Sequence, residues 1–100
     1  MASKSRTPIY RIIWGKEFLR DLKKIMKSGN KQIKKRVQEV ADEVKFDPHT
    51  KRPKVDIKLI STRDEGTYRV RLGKYRVVYE VNEEEKKIEF TLIFPRGKGY

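Results

Sequence analysis

Three arginines stand close together in residues 67–81, TYRVRLGKYRVVYEV. Side chains alternate between the two faces of a strand, so a two-residue turn at Gly73-Lys74 sets Leu72 opposite Tyr75 and Arg71 opposite Arg76. Tyr68, Val70, Leu72, Tyr75, Val77 and Tyr79 then share one face, and Arg69, Arg71, Arg76 and Glu80 the other. Glycine at the first central position suits a type II′ hairpin. Like charges directly opposite each other destabilise a hairpin, so the arginine pair points to a ligand that brings negative charge rather than to a merely solvated basic surface. Guanidinium groups take phosphate through paired, charge-assisted hydrogen bonds, and an aromatic ring beside them can hold an unstacked base. Arg96, Lys98 and Tyr100, in PRGKGY, repeat that chemistry at the end of the sequence. The combination suits single-stranded RNA. Glu80 has two readings on the arginine face, a general base or an ion-pair partner that fixes an arginine, and the second is expected.

Composition narrows the classes. A chain of 100 residues with 36% hydrophobic content is expected to form one domain. Its net charge of +12 attracts polyanions and speeds encounter with them. With no cysteine, disulfides, thiol catalysis and cysteine-bound metal are excluded. There is no histidine pair, no close aspartate cluster at ligand spacing, no glycine-rich phosphate loop and no G-x-S-x-G turn, so neither a metal nor a cofactor is expected. His49 is the single histidine and falls in a proline-bearing loop, where a solvated side chain is the ordinary outcome. The acidic run in NEEEKK, 82–87, reads as a solvated reversal rather than a metal site. No apolar stretch is long enough to span a membrane and MASKSRTP lacks the core of a signal peptide, so the expected location is the cytoplasm.

The elements that must carry the arginines follow from periodicity. Residues 1–8 read as a flexible basic arm, and 9–100 as one domain. IYRIIW, 9–14, is rich in β-branched and aromatic residues and reads as a first strand, with Trp14 anchoring the core. Phe18, Leu19, Leu22, Ile25 and Met26 recur at helical spacing over 16–27. In SGN, 28–30, Gly29 suits the end of that helix and Asn30 the N-cap of a second one over 31–46, striped by Ile33, Val37, Val40, Ala41 and Val44. DPHTKRPKVD, 47–56, reads as a loop leading to the short apolar segment IKLI. After the arginine hairpin, IEFTLIF places Ile88, Phe90, Leu92 and Phe94 on one face of a last strand that ends at Pro95. The predicted fold is α+β, in the order β-α-α-β-β-β. A helical hairpin covers one face of a small antiparallel sheet, and the arginine face is left bare.

The stretch YRVRLGKYRVVYEV, a charged turn, a strand and then PRGKGY, with RPKVDIKLI before them, resembles the RelE/ParE toxin superfamily, most closely its archaeal RelE branch. The resemblance runs from about Tyr10 to Tyr100 and rests on the order and spacing of these pieces. It implies a type II toxin that cleaves messenger RNA on the ribosome, neutralised by a RelB-like antitoxin. Arg69 and Arg71 stand where bacterial members carry lysines, Arg76 matches the strand arginine, Arg96 the late arginine and Tyr100 the C-terminal tyrosine. These five are the implied catalytic set, with Lys54, Lys58, Lys74 and Lys98 as RNA-binding cations. The implied mechanism is metal-independent attack of the 2′-hydroxyl on the adjacent phosphorus, with the arginines stabilising the phosphorane charge. Two alternatives share the fold, a gyrase-directed ParE-type toxin and a basic RNA-binding module without catalysis.

Overall fold

The computed structural model describes residues 9–61 and 66–97. Strand β1 (Arg11–Trp14) leads into helices α1 (Lys16–Lys27) and α2 (Ile33–Val44), followed by β2 (Asp56–Ser61), β3 (Thr67–Leu72), β4 (Tyr75–Asn82) and β5 (Lys87–Pro95). The strands lie in the order β1-β5-β4-β3-β2.

Two points differ from the expected sheet. IKLI belongs to a strand of its own, because Asp56–Leu59 pairs antiparallel with Tyr68–Arg71, so the sheet has five strands and not four. The other difference is direction: β1 runs parallel to β5, with Arg11 opposite Lys87 and Trp14 opposite Phe90. The sheet is therefore mixed rather than antiparallel. Parallel neighbours need a long connection, and here everything between β1 and β5 serves as one.

The helices cover one face. Phe18 and Leu22 from α1 and Ile33, Val37, Val40, Ala41 and Val44 from α2 are buried against Ile57, Val70, Leu72, Val77, Tyr79, Val81, Ile88, Phe90 and Ile93. Burying side chains of this kind stabilises by about 1.5–3 kcal/mol each. Trp14 is half-buried at the margin of this core, with its ring 4.9 Å from Phe90 and 5.7 Å from Phe18. Gly15 must be glycine, since a Cβ there would come within 2.7 Å of the Phe90 carbonyl oxygen that its own N–H bonds at 2.9 Å. Gly29 takes φ +116 after α1, as a helix terminator does. Asn30 is not the N-cap of α2, which begins after Gln32 without a side-chain cap.

The direction of α2 orients the molecule. Arg36, in its first turn, lies against Gly73 at the β3–β4 turn, and Lys45, just past its end, accepts backbone hydrogen bonds from Ile9 and Tyr10. The α1–α2 connection therefore sits at the same end of the sheet as the Gly73-Lys74 turn. The far end holds the start of β1, the 82–86 reversal and the loop after α2.

Candidate nucleic-acid interface

The hairpin has the predicted register. Leu72 pairs with Tyr75, Arg71 with Arg76, Val70 with Val77, Arg69 with Val78 and Tyr68 with Tyr79. Gly73 has φ +64, and Lys74 is not among the described non-glycine residues with positive φ, the combination of a type II′ turn. Val70, Leu72, Val77 and Tyr79 are buried under the helices, with Tyr68 and Tyr75 packed at their border. On the other face Arg71 is exposed and Arg69 and Arg76 are half-buried.

Strand β2 extends this cationic face, setting Lys58 beside Arg69 and Asp56 beside Arg71. The Arg71 Nε lies 3.7 Å from an Asp56 carboxylate oxygen. The Arg69 Nε is buried and has no hydrogen-bond partner among the described residues. The Arg76 pKa is lowered, first by partial removal from water and then by the positive charges of Arg71, Arg69 and Arg96, with Asp56 opposing. A common field on Arg76 thus comes from three other guanidinium groups. Arg96 is tied to the hairpin tip, where its backbone N–H donates to the Lys74 carbonyl at 2.6 Å. Gly73, Lys74, Pro95, Arg96 and Gly97 line an open depression there.

The last strand does not keep the expected face. Val78 pairs with Leu92 but Tyr79 pairs with Phe90, so Thr91 is an extra residue, a β-bulge. The Thr91 hydroxyl donates to the Val78 carbonyl at 3.3 Å. Ile88 and Phe90 point into the core as predicted, whereas beyond the bulge it is Ile93 that does so. Leu92 and Phe94 move to the arginine face, opposite Val78 and Arg76. Val78 is 1% exposed yet lies outside the helix-covered core, so the arginine face has an apolar floor of its own. Half-buried Phe94 sets an aromatic ring on the strand next to Arg76.

Other expected members do not join the group. Lys54 is drawn to the helical side, 3.8 Å from Glu43. Glu80 does not pair with an arginine among the described residues. It stands four residues from Arg76, about 13 Å along the strand, opposite Thr67 and Glu89. Asp56, on the neighbouring strand, occupies the role expected of Glu80. Lys98 and Tyr100 lie outside the described residues. The residues missed in the sequence are Asp56 and Phe94. The first needed β2 to be recognised, and the second was signalled by the unbroken run Leu92-Ile93-Phe94, which does not alternate.

A second cluster forms at the far end of the sheet. The two ring nitrogens of His49 lie 2.7 Å from the Tyr68 hydroxyl and 2.7 Å from a Glu83 carboxylate oxygen. The Tyr10 hydroxyl donates to the other Glu83 oxygen at 2.8 Å, and the Lys86 ammonium reaches that same oxygen at 3.3 Å. The buried Tyr79 hydroxyl donates to the Pro48 carbonyl at 2.7 Å. Burial, then the Glu83 carboxylate, pushes the Tyr10 phenol up to about 12. Desolvation pushes Glu83 upward, but the hydrogen bonds from Tyr10, Lys86 and His49 outweigh it and hold this carboxyl below its usual range. His49 is thus a bonded strut and not a merely solvated loop residue.

Two helices on one face of a mixed five-stranded sheet, with clustered cations on the other, is the RelE-like α+β fold. A chain of the archaeal RelE–RelB complex from Pyrococcus horikoshii OT3 is 34% identical, covers 91% of this chain and 99% of its own length, and superimposes with a TM-score of 0.73. The RelBE2 toxin–antitoxin complex of Mycobacterium tuberculosis matches at 24% identity over 90% of this chain and 100% of that one, with a TM-score of 0.65. The YoeB dimer of Staphylococcus aureus matches at 17% over 83% and 92%, with a TM-score of 0.64. At those lower identities the likeness is one of fold. No curated protein sequence matches the chain significantly. The model of the ParE toxin of type II toxin–antitoxin systems, parDE, matches residues 12–100, and the chain belongs to this family within the RelE/ParE superfamily.

Proposed function

We propose that this toxin is a ribosome-dependent messenger RNA endoribonuclease. The observation that carries the reading is the Arg71–Arg76 cross-strand pair, crowded by Arg69 and Arg96 and flanked by Phe94. Such a face is unfavourable alone and is relieved by a phosphate with an unstacked base. In the proposed step the 2′-oxygen bonds to the adjacent phosphorus as its proton departs. The bond from phosphorus to the 5′-oxygen breaks, and that oxygen takes up a proton. The products are a 2′,3′-cyclic phosphate and a 5′-hydroxyl. Arg71, Arg76 and Arg96 stabilise the extra negative charge of the phosphorane. Arginine, with a pKa above about 12, scarcely releases a proton, so this face supplies charge rather than a base. Tyr100 stacks on a base or assists proton transfer, and the ribosome aligns the message for attack.

An acidic, RelB-like antitoxin is the proposed partner, since type II toxins are paired with antitoxins and the Pyrococcus and Mycobacterium neighbours are toxin–antitoxin complexes. Such a chain, partly disordered when alone, would wrap the basic surface with the help of long-range attraction. The family description ParE keeps a second reading in view, a gyrase-directed toxin.

A translation reaction with mapped messenger ends separates the two. Cleavage at internal codons with cyclic phosphate and 5′-hydroxyl ends supports the first. Intact message together with inhibited gyrase supercoiling supports the second. Cognate antitoxin should abolish cleavage at about one equivalent and bind more weakly as salt rises. An active complex would overturn the control proposed here.

A further inference from the structure

The arginine face holds only part of the charge. Residues 16–36 carry Lys16, Arg20, Lys23, Lys24, Lys27, Lys31, Lys34, Lys35 and Arg36 against Glu17 and Asp21. Lys24, Lys27, Lys31 and Lys34 straddle the α1–α2 connection, and all are exposed. On α1 they project from the side opposite Phe18, Leu22 and Ile25, and none of the four is in an ion pair among the described residues. The far end is the reverse: Glu43, Asp47, Glu83 and Glu85 are each within ion-pair distance of Arg52, Lys54, Lys86 or Lys87. The helical turn thus gathers a cluster of unpaired cations, whereas the far end pairs most of the charges it brings together.

Through Arg36, which abuts Gly73, the helical lysines continue into Lys74 and Arg96 and so onto the arginine face. From this continuity we infer that the α1–α2 turn is a second anion-binding surface, one that grips the phosphate backbone of a double-stranded RNA helix while the sheet face takes a single strand. Protein interfaces bury apolar and aromatic anchors at their centre. The large hydrophobic residues exposed in the described structure are Ile9, Leu19 and Leu59, and none is at this turn. A lysine surface without apolar anchors suits a repeating phosphate backbone read by charge and shape. The inference rests on the ribonuclease reading only for the choice of RNA as the polyanion.

The test uses the full chain and a labelled RNA duplex of about 20 base pairs, long enough to present successive grooves. The variant K24Q/K27Q/K31Q/K34Q is compared with R11Q/K45Q/K51Q/K87Q, which removes the same net charge elsewhere. The first should lose duplex affinity by about 30-fold or more and flatten the plot of log affinity against log salt by about 3, while the second changes affinity by about 3-fold or less. Matching melting curves show that both variants are folded. Equal losses in the two variants, or none in the first, would overturn the grip. So would polyglutamate competing as well as unlabelled duplex at matched charge, which would assign the turn to an acidic protein. Mapped message ends read separately: cleavage by the parent with no grip leaves the ribonuclease reading standing, and a grip without cleavage leaves the duplex surface standing alone.

Discussion

The two ends of this sheet solve opposite electrostatic problems. At the hairpin end Arg71 and Arg76 face each other across β3 and β4, and among the described residues the one carboxylate paired with an arginine there, Asp56, lies 3.7 Å from Arg71. At the far end Glu83 is held by Tyr10, His49 and Lys86, and His49 is held in turn by Tyr68. One end leaves charge uncompensated and the other satisfies nearly every group it assembles. Buried polar groups are ordinarily paired, so the far end is what stability alone would build. The hairpin end keeps an excess of positive charge that its own carboxylate does not balance.

The sharpest test of that contrast is Arg76→Ala. Loss of one group that stabilises developing charge lowers turnover by about 100-fold or more, and messenger cleavage should disappear from the mapped ends. The melting temperature should stay equal or rise, because a like-charge contact has gone. A variant that melted well below the parent would make Arg76 structural and dissolve the comparison.

Substitutions at the far end should do the reverse. Tyr79→Phe leaves the Pro48 carbonyl without its donor in the core, with an expected loss of about 1–3 kcal/mol in denaturant unfolding. Cleavage per folded molecule should be unchanged. Glu83→Gln, at a half-exposed site, should cost about 1 kcal/mol.

The pH profile sharpens the same contrast. The carboxyls of Glu83 and Asp47 titrate lower in the fold than when unfolded. Their contribution is therefore present above the ordinary carboxyl range and lost as pH falls through the lowered values. The Tyr10 phenol is raised to about 12 from 10.0, so its contribution is present below the unfolded value and lost as pH climbs between the two. Melting temperature followed across pH should fall at both extremes. Glu83→Gln should flatten the acid arm, and Tyr10→Phe the alkaline one. A parent whose acid arm matched that of Glu83→Gln would show that Glu83 does not stabilise this end.

The smallest expected effect is that of salt. Screening the crowded arginines should raise the parent's melting temperature by about 2 °C between low and moderate KCl, and that of Arg76→Ala by less.

Much of the hairpin end was legible because its signals are local. A glycine turn and strict alternation fix a register within fifteen residues, and Arg71 opposite Arg76 follows. What escaped was set by distant partners. The parallel pairing of β1 with β5 leaves no mark on either segment. Asp56 reaches Arg71 only because β2 joins β3, and the proline-rich stretch before it disguised that strand. The bulge at Thr91 reverses the face of Phe94 through one extra residue. His49 looked solitary since its partners Tyr68 and Glu83 come from elements remote in sequence.

The parallel edge also bears on how the protein comes into being. Arg11–Trp14 is made early but has no place to settle until Lys87–Phe90 has followed it out of the ribosome. Contacts between such distant segments close late and slow folding. Until then the sheet lacks its parallel edge, and Gly15 has no Phe90 carbonyl to bind. A nascent chain would therefore complete its sheet only after Lys87–Phe90 has emerged, although the arginine hairpin can pair before that. A partner waiting nearby would meet first the local hairpin, and only later the closed sheet that backs it.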